Sequence, residues 1–186
     1  MIKNYLLLIC LLGVSAVASA ANIQLNQSVP AVSVTDKGEL VMNNDGKLDY
    51  QPWKSQQLVG KVRTIQHIAG RSSAKELNAP LVEAIKQAKF PHDSYQTTTI
   101  INTDDAIFGT GVFLKNSVED SKKEFPYSQF IVDSEGTVKN AWGLKPESSA
   151  IIVLDNQGKV LFFKDGELNT QEIQKVISLL VSSLNQ

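Results

Sequence analysis

Reactive side chains crowd one short stretch of this chain, HIAGRSSAKELNAP, from His67 to Pro80. Ser72 and Lys75 stand three residues apart, which on a helix places them on one face, and a Ser hydroxyl becomes a nucleophile when a neighbouring base takes its proton. S-x-x-K is a spacing used by acyl-transferring serine enzymes, although the S-D-N and K-T-G elements that accompany it there are missing from this sequence. One candidate chemistry is therefore acyl transfer or hydrolysis by Ser72 and Lys75, with His67 assisting. A second reading is a capping box, in which Ser73 and Glu76 satisfy exposed N–H groups at a helix start. A third is capture of a small anionic ligand (carboxylate, sulfate or phosphate) by the unpaired N–H groups from Gly70 to Ser73, with Arg71 beside them.

The run that leads into this stretch, GKVRTIQHIA, is β-prone but carries Arg63, Gln66 and His67. His67 lies near the carboxyl end of that strand, where open α/β sheets gather ligands; the plainer alternative is a hydrogen-bonded core histidine. Asp104 and Asp105 have the residue type that caps a helix N-terminus or attracts a cation. Gly109-Thr110-Gly111 is a lone G-x-G and reads as helix irregularity. Trp142, just before Gly143, and the loop residues Ser148 and Ser149 are candidates to line the same cleft as His67. Beyond the first twenty residues the only soft or imidazole ligands are His67, His92 and Met42, so neither a metal nor another cofactor is expected.

The elements that would hold these residues follow from pattern. VPAVSVTDKGELVM, Val29 to Met42, places two β-prone runs around Asp36-Lys37-Gly38 and predicts a hairpin at about 29–42, followed by a turn at Asn43-Asn44-Asp45-Gly46. A strand over Val62 to Ala69 is followed by a helix from about Ser73 to Lys89, where Ala74, Leu77, Leu81, Ala84, Ile85 and Ala88 recur at helical steps. A strand from Tyr95, a less regular helix from about Asp104 to Glu124, and strands in SQFIVD, AIIVLD and KVLFFK come next, the last two joined by Asp155-Asn156-Gln157-Gly158. A final amphipathic helix starts at Thr170 behind the N-cap Asn169. This order defines an α/β class with a mixed sheet.

Residues 1–20 stand apart from the fold. Lys3, an apolar stretch from Tyr5 to Val17 and the A-x-A site Ala18-Ser19-Ala20 predict a signal peptide cleaved after Ala20 or Ala21, and hence a periplasmic protein with no membrane attachment after cleavage. The single cysteine, Cys10, lies inside that segment, so the mature chain has no thiol and must rely on an apolar core. The 186 residues carry a formal net charge of −1 with no basic stripe, which argues against a nucleic-acid partner. The remainder, 21–186, is sized for one domain.

GKVRTIQHIAGRSSAKELNAPL resembles the central strand and active-site helix of thioredoxin-fold proteins. Without a gap, Ala69 falls at the strand end, Arg71 at the usual Trp, Ser72 and Lys75 at the two cysteines of C-x-x-C, and Pro80 at the helix-kinking Pro. FIVDSEGTVKNAWGL and SSAIIVLDNQGKVLFFKDGEL resemble the later half of periplasmic thioredoxin-like proteins. More narrowly, QHIAGRSSAKE, YQTTTIINTDDAI and SQFIVDSEG are similar to the YtfJ family of exported bacterial proteins. The resemblance implies a thioredoxin-like three-layer fold with an N-terminal hairpin extension, and an exported address, but no chemistry. Gln66 falls where thioredoxins keep a buried carboxylate. Thiol exchange needs a thiolate attacking a sulfur, so Ser72 in place of the first cysteine excludes dithiol oxidoreductase activity. The cis-Pro position falls at Ser149. The expected role is that of a non-redox binding or interaction module whose partner is an unidentified periplasmic protein or a small anion.

Overall fold

The computed structural model describes residues 21–185; the expected signal peptide lies outside them. Seven strands form one mixed sheet: β1 (Ser33–Met42), β2 (Leu48–Lys54), β3 (Val62–Ala69), β4 (Tyr95–Asn102), β5 (Gln129–Asp133), β6 (Ser149–Leu154) and β7 (Val160–Asp165). Their spatial order is β2-β1-β5-β4-β3-β6-β7, with β3, β4 and β5 parallel and every other pairing antiparallel. The helices are α1 (Ser72–Leu77), α2 (Ala79–Ala88), α3 (Gly111–Glu124), α4 (Thr137–Trp142) and α5 (Thr170–Leu184).

Strand β3 lies inside the sheet, between β4 and β6, and every one of its eight residues is buried. The crossovers β3-α2-β4 and β4-α3-β5 step in one direction across the sheet, so right-handed connections put α2 and α3 on the same face. Leu81 of α2 and Val176 and Leu180 of α5 pack there over Val62, Ile151 and Val153, while Val118 of α3 packs over Ile68, Ile101 and Phe130. From β5 the chain steps back past β3 to β6, which sends α4 to the opposite face. That face buries Ile65, Ile100, Ile131 and Ile152 beneath Val138, Trp142, Leu144 and the segment Ile23 to Val32. The result is three layers, helices on both sides of one sheet.

Residues 29–42 do not form the expected hairpin. Asp36-Lys37-Gly38 does not reverse the chain; it forms a bulge within β1, where the pairing shifts between Val34 and Glu39. Gly38 has φ +81°, and a Cβ there would lie 2.1 Å from the Gln51 carbonyl oxygen, so glycine is required. The bulge turns Val34 into one core and Leu40 into the other. The real hairpin joins β1 to β2 through Asn43 to Lys47, closed by the Asn43 N–H on the Lys47 carbonyl at 2.8 Å.

The single helix expected from Ser73 to Lys89 is two helices meeting at Asn78. Pro80 has no N–H to donate to the Glu76 carbonyl, and that carbonyl takes the Asn78 N–H instead. The helix expected from Asp104 begins only at Gly111, so Gly109-Thr110 belongs to the preceding loop rather than to a helix. The short α4 was not expected from sequence; its first N–H groups, of Thr137 and Val138, are held by the buried Asp133 carboxylate at 3.0 and 2.8 Å. The Asn169 cap of α5 is formed as expected, with Glu172 completing the box.

Candidate functional site

Successive residues of a strand point to opposite faces, and this separates two residues that the sequence places together. Gln66 faces α2 and α3; His67 faces α4. His67 is 2% exposed, beside Ala150 and Ile100 in the sheet, and its Nε2 has no partner. Burial lowers its pKa to about 4, with Asp105 opposing and Lys139 adding to the shift, so at neutral pH it is an uncharged core imidazole.

Above His67, at the carboxyl ends of the parallel strands, polar groups form a closed set. Lys139 Nζ meets Asp104 at 3.1 Å and Asp105 at 2.7 Å. Asp105 also accepts from Asn102 Nδ2 at 2.9 Å and from the Glu147 N–H at 3.1 Å. Burial alone would raise the Asp105 pKa, but the hydrogen bonds from Lys139 and Glu147 and the Lys139 charge together hold it below the ordinary value. Arg71 donates from Nε and Nη2 to the Asp105 carbonyl at 2.9 and 2.7 Å, and its Nη1 pairs with Glu147 at 2.8 Å. Asp104 and Asp105 therefore cap no helix. They tie the end of β4 to α4 and to the loop before β6.

The helix start at Ser72 is laid out differently from expectation. Arg71 is the N-cap of α1, without a side-chain hydrogen bond to the helix, and the Ser73–Glu76 capping box is not formed. Ser72, Ser73 and Lys75 are exposed, and no hydrogen bond joins Ser72 to Lys75. Of the N–H groups expected to cradle an anion, Gly70 donates to the Asn102 carbonyl at 2.8 Å and Arg71 to the Ala69 carbonyl at 2.7 Å. Gly70 is packed tightly, since a Cβ would come within 3.0 Å of Ala106 and Leu114.

Trp142 does not line a cleft; it is fully buried and donates from Nε1 to the Pro30 carbonyl at 2.9 Å. Ser148 offers its carbonyl to the Ala69 N–H, and the Ser149 hydroxyl accepts from Asn78 Nδ2 at 3.0 Å. Asn78 also donates to the Gly166 carbonyl at 3.2 Å and accepts from the Leu168 N–H at 3.0 Å. This buried residue joins the helix break to the β6 and β7 ends. Its signal in the sequence was an Asn on the apolar face, one helical turn from both Ala74 and Leu81. Arg63, also buried in β3, spends its guanidinium on the Leu58 and Gln57 carbonyls, Gln96 and Thr98.

An open cleft lies on the other face. Between α2 and α3, above β3 and β4, is a space of about 420 Å³. Its floor grades from Thr64 and Thr97, through Gln66 and Thr99, to Ile68 and Ile101. Val82 and Lys86 of α2 form one wall, Leu114, Val118 and Ser121 of α3 the other. Gln66 is 7% exposed and its Nε2 has no protein partner. A buried amide left unpaired is rare enough to require an explanation, and a concave, mostly apolar space with few polar groups is the usual form of a ligand site.

Fold and sheet order define a thioredoxin-like fold. A solution structure from Bacteroides thetaiotaomicron superposes with a TM-score of 0.60 at 14% identity, covering 91% of this chain and 95% of that one. A thiol-disulfide isomerase from Corynebacterium glutamicum gives 0.54 at 18% identity, covering 89% and 98%. The family model YtfJ_HI0045, described as a bacterial protein of unknown function, matches residues 23–183, and the uncharacterized protein YtfJ of Escherichia coli (strain K12) is 55% identical over 96% of each chain. The chain belongs to that family. With Cys10 as its one cysteine it has no C-x-x-C pair.

Proposed function

We propose that this protein is exported to the periplasm, is cleaved there after Ala20 or Ala21, and works as a non-redox binding module through the cleft between α2 and α3. The observation that carries the reading is Gln66: a side chain almost wholly buried, with an unpaired amide nitrogen, on the floor of an open cleft. At the place of the redox dithiol, Ser72 and Lys75 are exposed and not hydrogen-bonded to each other, Arg71 is engaged by Asp105 and Glu147, and Lys75 itself lines the cleft between α2 and α3.

An apolar fluorescent dye such as anilinonaphthalene sulfonate tests the cleft. The protein should bind it saturably, and Val82→Trp, which fills the space from the α2 wall, should abolish binding without unfolding the chain. Equal binding by Val82→Trp would overturn the reading. Mass measurement of the protein from the periplasmic fraction should give a mature chain starting at Ala21 or Asn22; an uncleaved chain in the cytoplasm would contradict the export part.

A further inference from the structure

We infer that the α2–α3 cleft takes a linear monocarboxylic acid, its carboxylate accepting from Gln66 Nε2 and its alkyl chain lying along Ile68 and Ile101. The inference rests on the cleft reading above and names its ligand class. The first argument is donor bookkeeping. An amide nitrogen carries two N–H groups and no lone pair to offer, so the unpaired Gln66 Nε2 asks for an oxygen acceptor. The Tyr95 hydroxyl donates to Thr64 Oγ1 at 3.0 Å, which leaves the Thr64 hydroxyl proton free to donate as well. That end of the floor is rich in donors.

The second argument is charge. Lys86 reaches from α2 across to Phe125 at the end of α3, its Nζ 4.6 Å from the ring centroid, so a cation stands over the polar end of the cleft. Lys75, Glu83 and Glu124 also line the cleft, and Glu83 accepts from Gln87 on its own helix. A carboxylate set between Gln66 below and Lys86 above gains charge-assisted hydrogen bonds, the strong kind.

The third argument is shape. The space runs along the strands between α2 and α3, from Thr64 and Thr97 to Ile68 and Ile101, an elongated shape that suits an unbranched chain. Its apolar end is the end at which α3 begins, walled by Leu114 and Val118. There Ile107, Phe108, Val112 and Phe113 stand exposed, with Phe108 and Phe113 at 104% and 77%. Such a group of exposed apolar side chains, next in sequence to the wall residue Leu114, has the character of an interaction site.

The test is calorimetric titration of protein purified from cells expressing the full chain, with sodium decanoate, methyl decanoate, 1-decanol and sodium butyrate. Decanoate should bind, the ester and the alcohol at least about tenfold more weakly, a single charged hydrogen bond being worth that factor, and butyrate not measurably. Gln66→Leu should weaken decanoate about tenfold and leave decanol unchanged. Undetectable decanoate binding, equal binding of decanoate and decanol, or an unaltered affinity in Gln66→Leu would each overturn the inference. Dye binding that Val82→Trp abolishes, with no decanoate binding, would reject this ligand class and leave the cleft reading standing; no dye binding would remove both.

Discussion

The two faces of β3 treat adjacent polar residues differently. Gln66 and His67 are both buried, and each leaves a nitrogen without a partner. On the His67 face, α4, Trp142 and the N-terminal segment close over the sheet. On the Gln66 face, α2 and α3 stand apart and leave about 420 Å³ between them. The same defect therefore has two meanings. An unpaired nitrogen sealed in a core is a cost to stability that can be removed; one in the floor of an open cleft lies beside space that a ligand could enter.

Four substitutions sharpen that contrast. The largest effect belongs to the closed face, where Trp142→Ala should cost about 3–5 kcal/mol in urea unfolding; a loss below about 1 kcal/mol would mean this face is as loose as the other. Next is the pH dependence of His67. Its folded pKa of about 4 lies below the unfolded 6.5, so between these values the unfolded chain binds the extra proton. Stability is fully present above pH 6.5 and falls by up to about 3 kcal/mol as pH drops toward 4. His67→Leu should flatten that slope in unfolding measured from pH 4 to 7.5, whereas an unchanged slope would place the titrating group elsewhere.

Asn78→Ala should cost about 1–3 kcal/mol, because it strands the buried Leu168 N–H; calorimetric melting would show a lowered Tm, and no change would mean that water replaces the side chain. The smallest stability effect is expected for Gln66→Leu, within about 1 kcal/mol of the natural protein, since exchanging an unsatisfied amide for an apolar group of similar shape is close to neutral. A large loss there would make Gln66 a structural residue and dissolve the contrast.

Much of the scaffold was legible. β-prone runs located β3, β4, β6 and β7, a helical period located α5, and the Asn169 cap announced where α5 begins. The errors fell where short-range signals were outweighed by distant partners. Asp36-Lys37-Gly38 has turn chemistry, yet the facing Gln51 backbone makes it a bulge. Ser73 and Glu76 have capping-box spacing, yet Arg71 takes the N-cap. Asp104 and Asp105 are cap residues by type, but Lys139, thirty-odd positions away, claims both.

The site was legible in its residues and not in its geometry. Gln66, His67, Arg71, Ser72 and Lys75 were all singled out. Strand alternation splits the first two, and Arg71 is tied to Asp105 and Glu147. The cleft walls come from α2 and α3, and nothing in either helix's sequence alone reveals how far apart the two stand.

The most direct measurement is decanoate titration of three proteins side by side: the natural chain, His67→Leu and Gln66→Leu. The natural chain and His67→Leu should bind with the same affinity and Gln66→Leu about tenfold more weakly. Equal binding by all three, or a loss confined to His67→Leu, would contradict the assignment of the open face of β3 as the binding face.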